Sequence, residues 1–167
     1  MKETLIVVGE YLGGKRNMPS YIKELRALVG HRPLILNSAS GALFNQHQQV
    51  LLQERTDTGD WGFPGGYLAF GEGFKDALVR EFQEDAGLVV QPLQLLQLSD
   101  QNHYTYPNGD QVQPINCFYL VKYVSGKLLQ QATDETTQLA YFDLDQPPTF
   151  FNAQHATMFS VLQQHYL

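Results

Sequence analysis

The chain has 167 residues, of which 43% are hydrophobic and 17% are charged, and its formal net charge is -6. This length and composition predict one globular domain with its own core. A nucleic-acid duplex is an unexpected partner, because duplex binding normally requires a basic face. We expect a cytoplasmic protein without a membrane span, since no apolar stretch approaches roughly 18 residues and residues 5–8 are too short for a signal peptide.

The first third of the chain predicts a short strand, a helix and two longer strands. Residues 4–8 have four apolar side chains after Thr4 and predict the short strand, and residues 13–17 predict a glycine-rich loop. Ser20 is then a candidate N-cap for a helix that ends at Gly30. Pro33 to Phe44 is the first long strand, and small residues near its centre indicate a bulge or a close backbone approach. Gln49 to Arg55 is the second long strand.

The central stretch predicts a tight loop followed by a helix. Gly65 and Gly66 follow Pro64, and a short apolar segment spans Tyr67 to Phe70. A helix is predicted from Phe74 to Asp85, with apolar residues at four-residue spacing, and Gly87 favours a left-handed stop.

The same helix concentrates acidic residues on one patch. Glu81, Glu84 and Asp85 lie at i, i+3 and i+4, so their side chains leave the helix close together. A solvated acidic surface is one interpretation, although anions near a helix C-terminus oppose the helix dipole. The other interpretation is a site for a hard divalent cation, because magnesium and manganese prefer carboxylate oxygens.

The second half predicts three more strands, a hairpin and a final helix. The strands are Val89 to Leu98, with a bend at Pro92, then Gln113 to Tyr123 and Leu139 to Phe142. Asn108-Gly109 favours a tight hairpin. Asn152 begins the last helix, and Cys117 lies in an apolar run, where we expect a core residue rather than a nucleophile.

Gly66, Glu72 and the run from Arg80 to Leu88 together resemble the Nudix box, the motif of the Nudix hydrolases. The resemblance implies an α/β (α+β) fold, the Nudix α/β/α sandwich with a mixed sheet and a catalytic loop–helix–loop. Two positions depart from the usual motif. Asp85 stands where a glutamate is usual and is one methylene shorter, and Phe82 stands where an aliphatic residue is usual.

The resemblance implies metal-dependent hydrolysis of a phosphoanhydride bond in a nucleoside diphosphate linked to another group. Glu81 and Asp85 would bind Mg²⁺ or Mn²⁺, with Glu84 as a third carboxylate and the carbonyl of Gly65 as a further ligand. The cation would activate a water molecule, and a carboxylate would take its proton. That base comes from the box in some relatives and from a later loop in others, for which Glu135 is the candidate.

The remaining candidates hold the loop or contact the substrate. Arg80 would orient Glu81 or pair with Glu72, and Glu72 would hold the loop or join the metal network through water. Four residues are candidates for substrate binding, by a bidentate phosphate contact or by stacking on a base. They are Arg55, Tyr104, Tyr106 and Phe63, and each has a structural alternative as a surface or packing residue.

The substrate follows from resemblance alone. The chain is similar to a bacterial subgroup described as MutT-like or ADP-ribose pyrophosphatase-like, which favours ADP-ribose or a nucleoside-diphosphate sugar. A nucleoside triphosphate, a non-catalytic nucleotide-sensing module and an isoprenoid diphosphate isomerase are the alternatives. The last normally needs a catalytic cysteine, and the context of Cys117 is wrong for it.

The domain boundary also follows from the resemblance. Similar proteins often begin near the helix that follows Ser20, so residues 1–17 are interpreted as an N-terminal extension and residues 18–167 as a single Nudix domain. We expect the extension to dock on the domain or on a neighbouring subunit, which makes a homodimer one expected assembly.

Overall fold

The structure is a computed structural model that describes residues 21–167. The predicted strand at residues 4–8, the N-cap at Ser20 and the extension at residues 1–17 lie outside the described residues. None of the helices in the described part is long and apolar enough to cross a membrane.

Three helices and eight strands make up the described chain. The helices are α1 (Tyr21–Val29), α2 (Phe74–Ala86) and α3 (Ala153–Tyr166). The strands are β1 (Leu34–Leu43), β2 (Val50–Arg55), β3 (Trp61–Gly62), β4 (Gly65–Tyr67), β5 (Leu88–Ser99), β6 (Tyr104–Thr105), β7 (Gln111–Gly126) and β8 (Thr136–Phe142).

The strands form two sheets. The larger sheet has the order β4-β1-β7-β5, with β6 also paired to β7, and the smaller sheet has the order β3-β2-β8. The larger sheet is mixed, because β1 and β7 run parallel while β4, β5 and β6 pair antiparallel.

Two apolar clusters lie on opposite faces of the strands. Leu78, Phe82 and Ala86 of α2 pack in one cluster, and Met158 and Phe159 of α3 pack in the other. Strand β1 contributes to both clusters, since neighbouring side chains of a strand point to opposite faces. The layers are therefore helix, strands, helix, and the predicted α/β/α sandwich is confirmed.

The ends of α2 agree with the sequence prediction. The Asp76 carboxylate accepts a hydrogen bond from the Gly73 N–H at 3.2 Å at the start of the helix. Gly87 ends the helix with φ of 72°, a left-handed conformation that favours glycine. The helix thus includes one residue more than predicted, Ala86.

Three features of the strands can be compared with the sequence. Of the two alternatives for the small residues of β1, the structure shows the close backbone approach, where Gly65 pairs with Ser40, and β1 pairs with β7 residue for residue, without a bulge. The bend in β5 is confirmed by a register shift beside Pro92. Of the apolar segment from Tyr67 to Phe70, only Tyr67 lies in a strand, at the end of β4.

Candidate active site

Three carboxylates from two distant parts of the chain meet at one point. Glu81 and Asp85 lie one turn apart on α2, and Glu135 lies in the loop before β8. One oxygen of each side chain lies within 4.8 Å of the others. Glu81 and Asp85 are buried, whereas Glu135 is exposed. We call these residues the carboxylate trio.

The loop that contains Glu135 is fixed by hydrogen bonds. The Thr133 hydroxyl accepts from the Glu135 N–H at 3.2 Å and from the Thr136 N–H at 2.9 Å. The end of β2 adds two contacts, since Thr56 donates from its N–H to the Glu135 carbonyl at 3.1 Å and from its hydroxyl to the Asp134 carbonyl at 2.8 Å. Glu135 is therefore held beside the residue that follows Arg55.

Arg80 ties α2 to the preceding loop. Its Nε and Nη2 donate to the two oxygens of Glu72 at 2.6 and 2.8 Å, and Nη2 also donates to the Tyr67 carbonyl at 3.1 Å. Its Nη1 donates to Glu81 at 2.6 Å and to Glu84 at 3.1 Å. These bonds use all five N–H groups of a guanidinium, so Arg80 orients carboxylates and has no donor left for a substrate.

Glu72 completes this arrangement. It also accepts a hydrogen bond from the Ala69 N–H at 2.8 Å. The bonds from Arg80, followed by the bond from Ala69, hold the pKa of Glu72 below its ordinary value although burial opposes them. The structure thus places Glu72 and Arg80 in the two pairings that the sequence suggested.

Glu84 lies apart from the trio. Its side chain is 59% exposed and its described contact is with Arg80. Successive residues of a helix are about 100° apart around its axis, so Glu84 and Asp85 leave α2 in different directions. The structure brings Asp85, and not Glu84, to Glu81 and Glu135.

Two glycines let the loop before α2 approach its neighbours. A Cβ on Gly66 would lie 2.5 Å from the Glu81 carboxylate, so the carboxylate occupies the space of the missing side chain. A Cβ on Gly65 would lie 2.2 Å from the Ala39 carbonyl oxygen of β1, and the φ of Gly65 is +150°. Gly65, whose carbonyl is a candidate ligand, is thus fixed by its pairing with β1 and directly precedes Gly66, which adjoins Glu81.

The carboxylate trio fits a divalent cation. Its donors are carboxylate oxygens, which suit Mg²⁺ and Mn²⁺. Asp85 is 5% exposed, and its Oδ2 is buried without a hydrogen-bond partner in the described chain. A buried acceptor of this kind is costly unless a partner joins it.

The electrostatics of the trio also favour a bound positive charge. Burial raises the pKa of Glu81 to about 7, against the opposing effect of Arg80, and Asp85 and Glu135 add to the rise. Burial, together with the charges of Glu135 and Glu84, raises the pKa of Asp85 to about 7. A cation would stabilise the ionised form of both groups.

Arg55 lies near the trio, within an aromatic cluster. Its Nε and Nη2 each donate to Asp57 at 2.8 Å, and its guanidinium lies 4.5 Å from the centre of the Phe151 ring and 5.7 Å from that of Tyr106. Its charge opposes the rise in the pKa of Asp85. Among the described residues its Nη1 has no hydrogen-bond partner, which leaves one end of the group available to an anion.

The two candidate tyrosines belong to this cluster. Tyr104 and Tyr106 lie on one face, with their rings edge to face at 4.9 Å, and Tyr104 also contacts Phe151 at 5.6 Å. The Tyr106 and Tyr67 hydroxyls share a hydrogen bond of 2.9 Å. Asn108-Gly109 forms the predicted turn beside them, closed by a 2.8 Å bond from the Gly109 N–H to the Tyr106 carbonyl. We call Arg55, Tyr104, Tyr106 and Phe151 the aromatic–arginine cluster.

The prediction that Phe63 contacts a substrate is wrong. Its side chain is 1% exposed and packs in the core beside Phe118, with ring centres 4.7 Å apart. The Phe63 N–H donates to the Nδ1 of buried His155 at 2.9 Å, and this hydrogen bond holds the loop that contains Phe63 against α3.

Sequence reasoning missed Asp57 and Phe151. Asp57 follows Arg55 by two residues, so an acidic residue at this spacing was an available signal for the ion pair. Phe151 lies 96 positions after Arg55 and joins it only through the fold. Residues 149–151 show no periodicity that would have distinguished Phe151 from an ordinary loop residue.

Comparisons with known proteins agree with the fold and the motif. The NUDIX domain model matches residues 35–162. An ADP-ribose pyrophosphatase of Methanocaldococcus jannaschii is 29% identical over 143 residues, which are 82% of this chain and 79% of that protein. An ADP-ribose pyrophosphatase structure from Streptococcus suis covers 79% of this chain and 92% of its own, with 25% identity and a TM-score of 0.60.

A second solved structure supports the fold alone. A MutT protein structure from Methanosarcina mazei covers 81% of this chain and 99% of its own, with 18% identity and a TM-score of 0.65. The family model, which matches most of the chain, shows that the chain belongs to the NUDIX domain family. The prediction of a Nudix enzyme is confirmed.

Proposed function

We propose that this chain is a pyrophosphohydrolase that cleaves the phosphoanhydride bond of a nucleoside diphosphate linked to a second group, with ADP-ribose or a nucleoside-diphosphate sugar as the favoured substrate. The observation that supports it is the meeting of the carboxylate trio with the aromatic–arginine cluster. The carboxylate trio suits a cation and a diphosphate, and the aromatic–arginine cluster suits a nucleobase.

Glu81 and Asp85 would hold Mg²⁺ or Mn²⁺, with Glu135 and the Gly65 carbonyl beside them. When bound, a divalent cation supplies positive charge against the diphosphate. Arg80 keeps Glu81 in place through its 2.6 Å hydrogen bond and connects it to the loop through Glu72. This arrangement fixes the acidic side chains before a substrate arrives, which reduces the cost of orienting them.

Glu135 is the proposed general base. It is exposed, so water can reach it, and its loop is anchored on both sides of the carboxylate. A carboxylate in this position can take the proton from the attacking water. Arg55 would bind a phosphate oxygen through Nη1, and its contact with Asp57 keeps the guanidinium at a fixed angle.

Tyr104 and Tyr106 are proposed to stack on the nucleobase. Base–aromatic stacking contributes about 1–3 kcal/mol per base in other systems. Tyr104 is half-buried and closes the cluster against Phe151. The ADP-ribose pyrophosphatases of M. jannaschii and S. suis support the preference for ADP-ribose over a triphosphate.

A substrate panel tests this function. ADP-ribose, nucleoside-diphosphate sugars and the common nucleoside triphosphates are incubated with the protein and Mg²⁺, and kcat/KM is compared. We expect release of a nucleoside monophosphate, fastest from the diphosphate-linked compounds. The Glu81→Gln protein, which can still accept from Arg80, should fold normally and turn over at least about 10²-fold more slowly.

Three other outcomes would contradict parts of this proposal. A preference for triphosphates above about tenfold, which is roughly 1.4 kcal/mol in transition-state binding, would contradict the choice of substrate. Absence of turnover with every compound would favour a nucleotide-sensing module. A normal rate in Glu81→Gln would remove Glu81 from the mechanism.

A further inference from the structure

A short hairpin presents the two tyrosines of the aromatic–arginine cluster. Strand β6 pairs with the start of β7 over two residues, and the turn between them is closed where the Tyr106 N–H donates to the Asp110 carbonyl at 2.8 Å. We call residues 104–112 the tyrosine hairpin. A two-stranded pairing of this kind is marginally stable in water by itself, so contacts from other elements are needed to fix its position.

Arg26 of α1 joins that helix to the tyrosine hairpin. Its Nη2 donates to the Gln111 carbonyl at 2.8 Å, and its Nε lies 3.5 Å from Oδ1 of Asp110. Its Nη1 donates to the carbonyls of Gly30 at 3.0 Å and Arg32 at 2.7 Å. The side chain is 12% exposed. The guanidinium therefore connects the segment that follows α1 to the residues at which β7 begins.

Asp110 passes this connection on to the turn. Its carboxylate shares a hydrogen bond of 2.7 Å with the His31 ring and accepts another from the Asn108 side-chain amide at 3.0 Å. The Asp110 N–H donates to the Asn108 side-chain oxygen at 3.0 Å. Because the Asp110 carbonyl also accepts from the Tyr106 N–H, a displacement of Asp110 would move Tyr106 with it.

The chemistry of the contact requires an arginine. The Arg26 guanidinium serves three backbone carbonyls and one carboxylate at the same time. A guanidinium has five N–H donors in a rigid planar fork, whereas a lysine ammonium at this position is a compact charge with three donors. Helix α1, which lies entirely within the described part of the chain, has no buried residue. The link between α1 and the hairpin is therefore mainly a polar one.

We propose that Arg26 is a positioning residue for the recognition of the nucleobase. It acts through the tyrosine hairpin, whose position sets the orientation of Tyr104 and Tyr106. This inference rests on the proposed function, in which the base stacks on these tyrosines. It extends the site to α1, which precedes the part of the chain that the family model matches.

The test compares the binding of AMP and ribose 5-phosphate, which share a sugar and a phosphate and differ in the base. Calorimetry measures both ligands with the wild type and with Arg26→Lys, which keeps the charge but loses the guanidinium fork. We expect the affinity for AMP to fall about fivefold, while the affinity for ribose 5-phosphate changes by less than about twofold. The matched control is Arg32→Lys, the same change at an exposed arginine whose carbonyl is the group that contacts Arg26.

Kinetics and amide hydrogen exchange give two further readouts. In Arg26→Lys, KM for ADP-ribose should rise about fivefold and kcat should change by less than about twofold, because the chemistry at the trio is untouched. Amide exchange in the tyrosine hairpin should become faster. Asp110→Asn weakens the same contact from the hairpin side and should have the same effects, and the double variant should add little to either single one. If Arg26→Lys does not fold, Asp110→Asn provides the same comparison of ligands.

The outcomes separate this inference from the proposed function. Equal affinity of the wild type for AMP and ribose 5-phosphate, or an undiminished preference for AMP in Arg26→Lys, would overturn the inference. A lower melting temperature with an unchanged preference for AMP would assign Arg26 to structure alone. Absence of turnover with every substrate would instead overturn the proposed function, and the comparison of AMP with ribose 5-phosphate would still decide the role of Arg26.

Discussion

Gly66 leaves room for the Glu81 carboxylate, and Gly65 leaves room for the backbone of β1. The two glycines therefore serve different purposes. The group nearest Gly66 is the end of a side chain that holds the proposed cation, whereas the group nearest Gly65 is a carbonyl that cannot move without disturbing the sheet.

Substituting Gly66 with alanine should impair activity more than stability. The added methyl group would push Glu81 away from Asp85 and Glu135, and a displacement near 1 Å can cost about 10²-fold in rate. Turnover and melting temperature are measured on the same preparation. A normal rate in Gly66→Ala would show that the Glu81 position seen here is not the active one.

Gly65→Ala is the matched comparison. Its methyl group would meet the Ala39 carbonyl, and the φ of +150° is unfavourable for alanine, so we expect a loss of stability of about 1–3 kcal/mol or more. Chemical unfolding measures this directly. Equal unfolding free energies of Gly65→Ala and Gly66→Ala would contradict the expectation that Gly65 matters more for stability than Gly66.

At the scale of elements, α3 is connected to the loop that contains Phe63 through His155. Its Nδ1 accepts from the Phe63 N–H, so the ring is neutral with its proton on Nε2. Burial, aided by the charge of Arg55, lowers the pKa of His155 to about 3. Protonation would bury a charge and break the bond that holds the loop to the helix.

The lowered pKa of His155 predicts that this residue contributes to the loss of stability at acidic pH. Because the folded pKa is below the ordinary value of 6.5, the unfolded chain binds more protons between pH 6.5 and 3. The stabilising contribution is complete above pH 6.5 and is lost as pH falls, at up to about 1.4 kcal/mol per pH unit. Unfolding free energies of wild type and His155→Gln between pH 7 and 4.5 measure this slope.

We expect the His155→Gln protein to have the shallower slope, whatever its absolute stability. His47→Gln, which changes an exposed histidine in a turn, should leave the slope as in the wild type. Parallel curves for wild type and His155→Gln would contradict the assignment of this acid sensitivity to His155.

At the scale of the whole molecule, cation binding should be linked to both pH and stability. In the metal-free protein the raised pKa values of Glu81 and Asp85, each about 7, mean that the folded state holds extra protons above pH 4. The corresponding stability is complete near pH 4 and is lost as pH rises through 7. A cation that replaces those protons should therefore stabilise the fold more at alkaline pH.

The measurement is thermal melting with and without Mg²⁺ after treatment with a chelator. At a concentration 100 times its Kd, Mg²⁺ should raise Tm by roughly 5–10 °C. The gain should be larger at pH 8 than at pH 5.5. The Glu81→Gln, Asp85→Asn double variant is the control and should show no gain, and an equal gain in that variant would place the cation elsewhere.

The sequence by itself determined the features that depend on local order. Helix α2, its stop at Gly87 and the hairpin at Asn108-Gly109 follow from periodicity and from glycine conformation, which neighbouring residues specify without help from the rest of the fold. The motif that includes Arg80 and Glu81 was readable for the same reason, because its spacing corresponds to a loop followed by a helix.

The tertiary structure decided which residues meet. Asp85 rather than Glu84 joins Glu81, because the direction in which a helix faces its neighbours is set by packing. Glu135 reaches the trio and Phe151 reaches Arg55 through contacts between segments far apart in the chain, which no local pattern encodes. Phe63 lies in the core for the same reason, since its backbone bond to His155 forms only when α3 packs against the sheets.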